Sequence, residues 1–548
     1  MKNNKINLIR HGETEFNRLG KIQGFTNIDL SNVGVSQAKE ILQYNENSSY
    51  GNYAIALYET KVANMCAPLA DYSKVIQKYE KIIKNDKNFL EAYLMLAKVY
   101  HETDKQKQVE VLTKAHKQFP DHYIIMYDLA NLKLFHTGDK EGGLELFTKC
   151  VQKLPQVDSA WASLGSAYMM NRELEMGKTC YETALSINPE KLSATLGIGV
   201  YHFEHGNFKK AREYYEKSLM INKDSFWGNF NIALLEILEG NFEKGMKLYE
   251  KRDKEHYVKK YGGSGYPELK KHHVEKNAEK KIVVIKEQGF GDDIMFSRYL
   301  KPLKNLGYTI TFATAPELLG LFKASPDLEG IKITNSVPAQ DVTAFDYRTF
   351  LLSLPYLTSN FVKGKPNPLN IDMKKIDEGK VSFSNEITKK VGSKKFKVGL
   401  SWNGSPKHWR DKNRSIDPGL LKDLLKDKDV EFFALQKVFK DVDKKFVKDM
   451  PNLTNCSEDL KDFVHTAYLV NKMDLILTVD TSLVHLAGSI GKETYLFLPT
   501  VPDWRWGLKD KQDWYPNVHL LRQEKIDDWG KPISRAKKII KEKLSSCS

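Results

Sequence analysis

The sequence predicts an α plus α/β protein: a helical solenoid over residues 55–255, followed by two Rossmann-like domains. Three observations carry that expectation. Aromatic positions recur every 34 residues through the first half; short β-branched runs alternate with helical segments from residue 281 onward; and 548 residues are too many for one core, because single cores stop growing at roughly 250 to 300 residues.

In chain order, the first element is LIRHGETEFN, residues 8–17, followed by GKIQGFTNIDLSNVGVSQA from Gly20 to Ala38. This resembles the opening of the histidine phosphatases, the phosphoglycerate mutase family. The resemblance implies that His11 would be phosphorylated and Arg10 would hold the phosphate, with Asn17 also matching. It covers about the first 40 residues and stops at the polar stretch QYNENSSYGN. A piece of that size cannot close a sheet around His11 or bury its own core. Residues 1–45 are therefore expected to be a truncated fragment without phosphatase activity, a fused remnant or gene-boundary artefact.

Composition narrows the function classes. The chain is 41% hydrophobic and 28% charged, with no apolar run of the ~18 residues a membrane span needs. It lacks an N-terminal signal-like stretch, so a cytoplasmic protein is expected. Its five cysteines show no metal-ligand spacing, which leaves neither a disulfide framework nor a zinc site. The net charge of +14 is spread over the whole chain among acidic residues. That pattern fits solvated helix faces and not a nucleic-acid surface.

GNFKKAREYYEK from Gly206 and GNFEKGMKLYEK from Gly240 nearly repeat, 34 residues apart. The same ruler places Phe147, Tyr181, Tyr215 and Tyr249 in one register, with Tyr79 two steps before Phe147. Trp161, Leu164, Gly165 and Tyr168 form the W-x2-L-G-x2-Y pattern of a tetratricopeptide repeat (TPR), with Ala184 and Pro189 following. Each helix pair has an apolar face it cannot bury alone, and small residues such as Gly165, Gly199 and Ala211 let neighbours stack closely. A TPR α-solenoid is expected, with a protein or peptide partner on its concave face. Glu204-His205-Gly206 could pass for a phosphatase fragment, but Gly206 falls in the same inter-helix turn as Gly138 and Gly240, so the tripeptide belongs to the repeats.

Residues 256–280, basic and containing Gly and His, read as a linker. KIVVIKE then begins a strand, glycine turn and helix. YTITFATA, GIKITNS, KFKVGLSW, EFFALQK, MDLILTV and ETYLFLP supply further strands between helical stretches, an alternation that implies parallel sheets. Domains over 281–385 and 395–548 are expected. Ligands in such sheets lie beyond the carboxyl ends of the strands, which singles out four clusters. They are Glu287 to Asp293; the polar loop Trp402 to Ile416, with Lys407, His408, Arg410, Lys412 and Arg414; Val479 to Lys492; and LPTVPDWRWG from Leu498, whose Trp504 suits a sugar or base site, with aromatic packing between lobes as the rival. The triplet Asp441-Val442-Asp443 sits among lysines and reads as a solvated helix surface, not a metal site.

Taken together, EQGFGDDIMFSRYL, GLSWNGSPKHWRDKNRSI, DLILTVDTSLVHLAGSIGK and LPTVPDWRWG resemble the bacterial TPR glycosyltransferases whose catalytic half is related to the heptosyltransferases. The resemblance runs from about residue 55 to 530. It implies a GT-B pair of Rossmann-like domains, a nucleotide-sugar donor as co-substrate with no other cofactor, metal-independent inverting transfer, and often a protein acceptor held by the repeats. Carried over, Asp292 is the candidate general base, with Asp293 its neighbour. Gly289, Gly291, Arg414, Lys407, Asp480, Thr481, Ser482, His485 and Trp504 are the candidate donor-binding residues. Heptosyltransferases commonly have glycine where Ser482 stands. The alternative from another class is a non-catalytic TPR scaffold with a degenerate transferase module.

Overall fold

The apolar runs after residue 280 become strands of two sheets, and every pairing in both is parallel. The computed structural model describes residues 49, 52–53, 55–57, 59–60, 71–337, 344–378, 381–405 and 410–547. The phosphatase-like Arg10, His11 and Asn17, and the candidate Lys407, lie outside the described residues.

The first sheet contains β1 (Lys281–Ile285), β2 (Thr309–Ala313), β3 (Lys332–Thr334) and β4 (Tyr347–Phe350), in the order β3-β2-β1-β4. The second contains β5 (Phe396–Ser401), β6 (Val430–Ala434), β7 (Leu453–Asn455), β8 (Leu475–Val479), β9 (Thr494–Leu498) and β10 (Val518–Arg522), in the order β10-β9-β8-β5-β6-β7. The inner strands are buried on both faces: all five residues of β8 and the last four of β1. In each sheet the chain steps outward to one side and then crosses back. Strand order therefore reverses beside β1 in the first sheet and between β5 and β8 in the second.

The described residues divide into two units at Gly197/Ile198. The first holds the earlier helices, from Ser73–Asn85 to Leu174–Ile187. Tyr79, Phe147 and Tyr181 are buried at their 34-residue positions. The physical reason for small residues in the facing helix is visible at Gly165, where a Cβ would stand 2.8 Å from the Tyr181 ring. The second unit begins inside helix Leu192–Glu204 and takes in Phe208–Ile221, Phe226–Leu238 and Phe242–Tyr249 together with both sheets. Ala233, Ile237, Met246 and Tyr249 from these last repeat helices share one apolar core with β1, β2 and the helices around them.

Two expectations need correction. Residues 256–280 are not a free linker: helix Glu255–Tyr261, buried Val258, Tyr266 and Leu269, and a parallel bridge from Glu268 to Arg348 build them into the second unit. Nor is Asp443 a solvated residue. Its carboxylate is buried and accepts from Trp402 Nε1 at 2.8 Å, from Asn403 Nδ2 at 2.5 Å and from the Lys440 N–H at 2.8 Å. It braces the loop after β5, while Asp441 stays exposed. Among the described residues no helix is long and apolar enough to cross a membrane.

Candidate functional site

A cavity of about 960 Å³ opens in the second unit at the carboxyl ends of β1, β5, β8 and β9. Its walls include every described candidate residue: Gly289, Gly291, Asp292, Arg414, Asp480, Thr481, Ser482, His485 and Trp504. β1, β5 and β8 are the strands at the two order reversals, and the residues that follow them are the ones brought together.

Asp292 is the third residue of helix Phe290–Phe296, and its Oδ2 accepts the Gly289 N–H at 3.1 Å, capping the turn that follows β1. Its Oδ1 accepts from Arg505 Nη2. Asp293 points away from the cavity. It is fully buried, accepts from Thr314 Oγ1 at 2.9 Å and lies 3.3 Å from Lys286 Nζ; burial pushes its carboxyl up to about 7. Gly291 serves packing: a Cβ there would stand 2.7 Å from His485 Cδ2 and 3.4 Å from Ser482 Cα, so only glycine lets the two helices cross.

Thr481 caps helix Ser482–Ile490, accepting weakly from the Leu483 N–H at 3.4 Å, and Gly491 ends that helix in the left-handed region. The open amides of its first turn and its dipole favour an anion. Arg414 stands beside them, donating from Nη1 to the Asp480 carbonyl at 2.7 Å and closing on Gly404, which has no side chain to obstruct it. His485 has a structural setting. Its Nδ1 meets Tyr515 Oη at 3.1 Å and its ring stacks on Trp506 at 5.5 Å. Burial first, then Arg505 and Arg298, holds its pKa well below the ordinary histidine value, so the ring is neutral at pH 7. Trp504 lines the cavity but is only 6% exposed, packed among Tyr249, Phe296 and the Arg505 guanidinium. Of the two readings of its motif, aromatic packing describes these rings: the segment follows β9, with β10 still to come, and Trp504 and Trp506 are buried.

The residues that went unassigned are the acid and base of this same turn. Asp503 and Arg505 flank Trp504 and both line the cavity, as does Arg410. Their signal was the alternation Asp-Trp-Arg-Trp, which puts the two charged residues on one side of a tight turn. Glu204 was also missed in this role. It ends a repeat helix, but its carboxylate accepts from Asn413 Nδ2 at 2.6 Å and ion-pairs with Arg410 at 3.1 Å. Repeat residues Trp227 and Phe230 complete the far wall, and Trp227 is 58% exposed.

Asp480 is almost wholly buried, and burial first, then the Asp503 charge, pushes its carboxyl up to about 6 against the opposing pull of Arg414 and Arg505. The folded state thus keeps a proton that the unfolded chain releases near pH 4, so this group's contribution to stability falls as pH rises from about 4 to about 6. Asp480→Asn should remove that loss. The difference in melting temperature between variant and wild type, followed from pH 4 to pH 7, is expected to move in the variant's favour. A flat difference would mean that Asp480 is ionised throughout.

Comparison with known proteins gives partial matches. The tetratricopeptide repeat family matches residues 158–191 and 196–225, and the chain carries those repeats. The histidine phosphatase superfamily (branch 1) matches residues 6–51. No curated protein matches. Among solved structures, MamA from Desulfovibrio magneticus RS-1 is 20% identical over 31% of this chain and 96% of its own, with a TM-score of 0.28. YrrB, a TPR protein with an unusual peptide-binding site, is 16% identical over 35% and 95%, with a TM-score of 0.30. PilW, a type IV pilus biogenesis factor, is 15% identical over 36% and 91%, with a TM-score of 0.31.

Proposed function

We propose that this chain is a glycosyltransferase of GT-B organisation that moves a sugar from a nucleotide-sugar donor to an acceptor, with the tetratricopeptide repeats engaging a protein or peptide acceptor. The observation that carries the reading is the meeting of Asp292, from the turn after β1, with Arg414 and the Asp480–His485 segment, from beyond β5 and β8, around one cavity.

In this scheme the donor's diphosphate lies against the first turn of helix Ser482–Ile490 and Arg414. Asp292 takes the proton of an acceptor hydroxyl as its oxygen attacks the anomeric carbon. The bond from that carbon to the diphosphate oxygen breaks, and its electron pair leaves with the nucleoside diphosphate. Attack opposite the leaving group inverts the anomeric centre. Charge grows on the diphosphate during this step, and fixed guanidinium and amide dipoles stabilise it most in the transition state.

The second reading, a protein-interaction scaffold with a non-catalytic module, is favoured by one feature: both oxygens of Asp292 are already engaged. Calorimetric titration of the whole protein with a panel of nucleoside diphosphates separates the two. The transferase reading expects one base to be bound at least tenfold more tightly than the others, a difference of about 1.4 kcal/mol. Equal or absent binding across the panel would leave the scaffold.

A further inference from the structure

Arg505 is shared between two carboxylates of different origin. Asp503, in the same turn, accepts from the Arg505 main-chain N–H at 3.1 Å and from Nη1 at 2.6 Å. Asp292, 213 positions away in the chain, accepts from Nη2. All three residues line the one cavity, and both the arginine and Asp292 side chains are about nine-tenths buried. With Oδ2 of Asp292 held by the Gly289 N–H and Oδ1 by Arg505, each oxygen of the candidate base already accepts a hydrogen bond. The Gly289 bond belongs to the helix turn itself, so Arg505 is the partner able to withdraw.

It can do so without losing its place. The two bonds to Asp503 tether the backbone and one edge of the guanidinium, and the Nη2 edge alone crosses to Asp292. A guanidinium offers a planar fork of donors that suits phosphate oxygens as well as a carboxylate. A diphosphate seated beside Arg414 and the Ser482–Ile490 helix start therefore offers Arg505 a replacement partner of the same kind. The exchange keeps the guanidinium paired and leaves the Asp292 carboxylate without its cation.

We propose that Arg505 couples donor binding to release of the base: it grips the donor's diphosphate and in the same movement frees Asp292. The inference rests on the glycosyltransferase reading of this cavity and adds an order to it, donor first and acceptor proton transfer second. Until a donor binds, the arginine keeps hold of Asp292, which accounts for the engaged carboxylate without calling the module degenerate.

The test is a double-mutant cycle on the full chain, with inorganic pyrophosphate as the titrant. If Asp292 competes for Arg505, Asp292→Asn should bind pyrophosphate about 3- to 10-fold more tightly than wild type, since a competing state has been removed. In an Arg505→Gln background the same Asp292→Asn change should give no gain. Arg505→Lys, which keeps the charge and loses the fork, serves if the glutamine variant unfolds, and the gain should fall below twofold there. A gain of equal size with and without Arg505 would be a general charge effect and would overturn the coupling, as would no gain in the single variant. Pyrophosphate binding that ignores Arg505 sinks the coupling alone. Absence of binding in every protein would sink the donor reading with it.

Discussion

On the proposed glycosyltransferase reading, Asp292→Asn is expected to lower the rate of sugar transfer by about 10²- to 10⁴-fold, the usual contribution of a positioned general base. That range corresponds to about 3 to 5 kcal/mol of transition-state stabilisation. The amide keeps the side chain's shape and its acceptor oxygen for the Gly289 N–H, so the turn after β1 should hold. Affinity for the donor's nucleoside diphosphate should be retained or tightened. A fall in kcat with donor binding intact is the signature of a group that acts only in the transition state. Single-turnover transfer and a parallel binding titration check it. Full activity in the variant would remove Asp292 from the chemistry, and the burial of Asp293 behind Thr314 and Lys286 leaves that neighbour in no position to replace it.

Arg252→Met is expected to destabilise the second unit by about 3 to 5 kcal/mol, the cost of stranding one partner of a buried ion pair. Arg252 follows the last repeat helix, and Glu287 follows β1 at the start of the site turn. The pair is bidentate, Nε to Oε1 at 2.7 Å and Nη2 to Oε2 at 2.6 Å, and the Glu287 side chain has no exposure at all. Arg252 Nη2 also donates to Ser353 Oγ at 2.9 Å, and Glu287 Oε2 accepts the Leu352 N–H at 3.1 Å. Methionine fills much of the volume but leaves the Glu287 carboxylate buried without its counter-ion. The melting transition should drop clearly, and adding Glu287→Gln should recover part of the loss because the uncompensated charge is then gone. Recovery that failed to appear would mean the arginine matters for packing on Tyr249, whose ring it covers at 4.9 Å.

Much of this protein was legible from its residues. Tyr79, Phe147, Tyr181, Tyr215 and Tyr249 are buried where the 34-residue ruler put them, because a repeat has to bury the same face at every step. The strands named from β-branched runs are strands, and β4, β7 and β10 joined them. Two of these, YRTF and LTN, carry no β-branched apolar run of the kind that marked the others.

The site was legible in part for a related reason. Local pattern marks the clusters just after the strands, and the resemblance to the heptosyltransferase-related enzymes singled out Asp292, Arg414 and Asp480 within them. Neither could separate a ligand contact from a packing contact. Gly291 makes room for His485, and Trp504 and Trp506 fill core. Those are facts about what lies across the fold, and nothing in a ten-residue window encodes them.

The sequence by itself determined the repeat register, the strand–turn–helix alternation and the kinds of residue beyond each strand, all of which follow from local periodicity. Only the tertiary structure decided that strand order reverses at β1 and between β5 and β8, that Glu204 of a repeat helix meets Arg410, and that Arg505 closes on Asp292. The reason is physical: these pairings join residues up to 213 positions apart, and a charge is matched to its partner by the packing of whole elements, not by its neighbours in the chain.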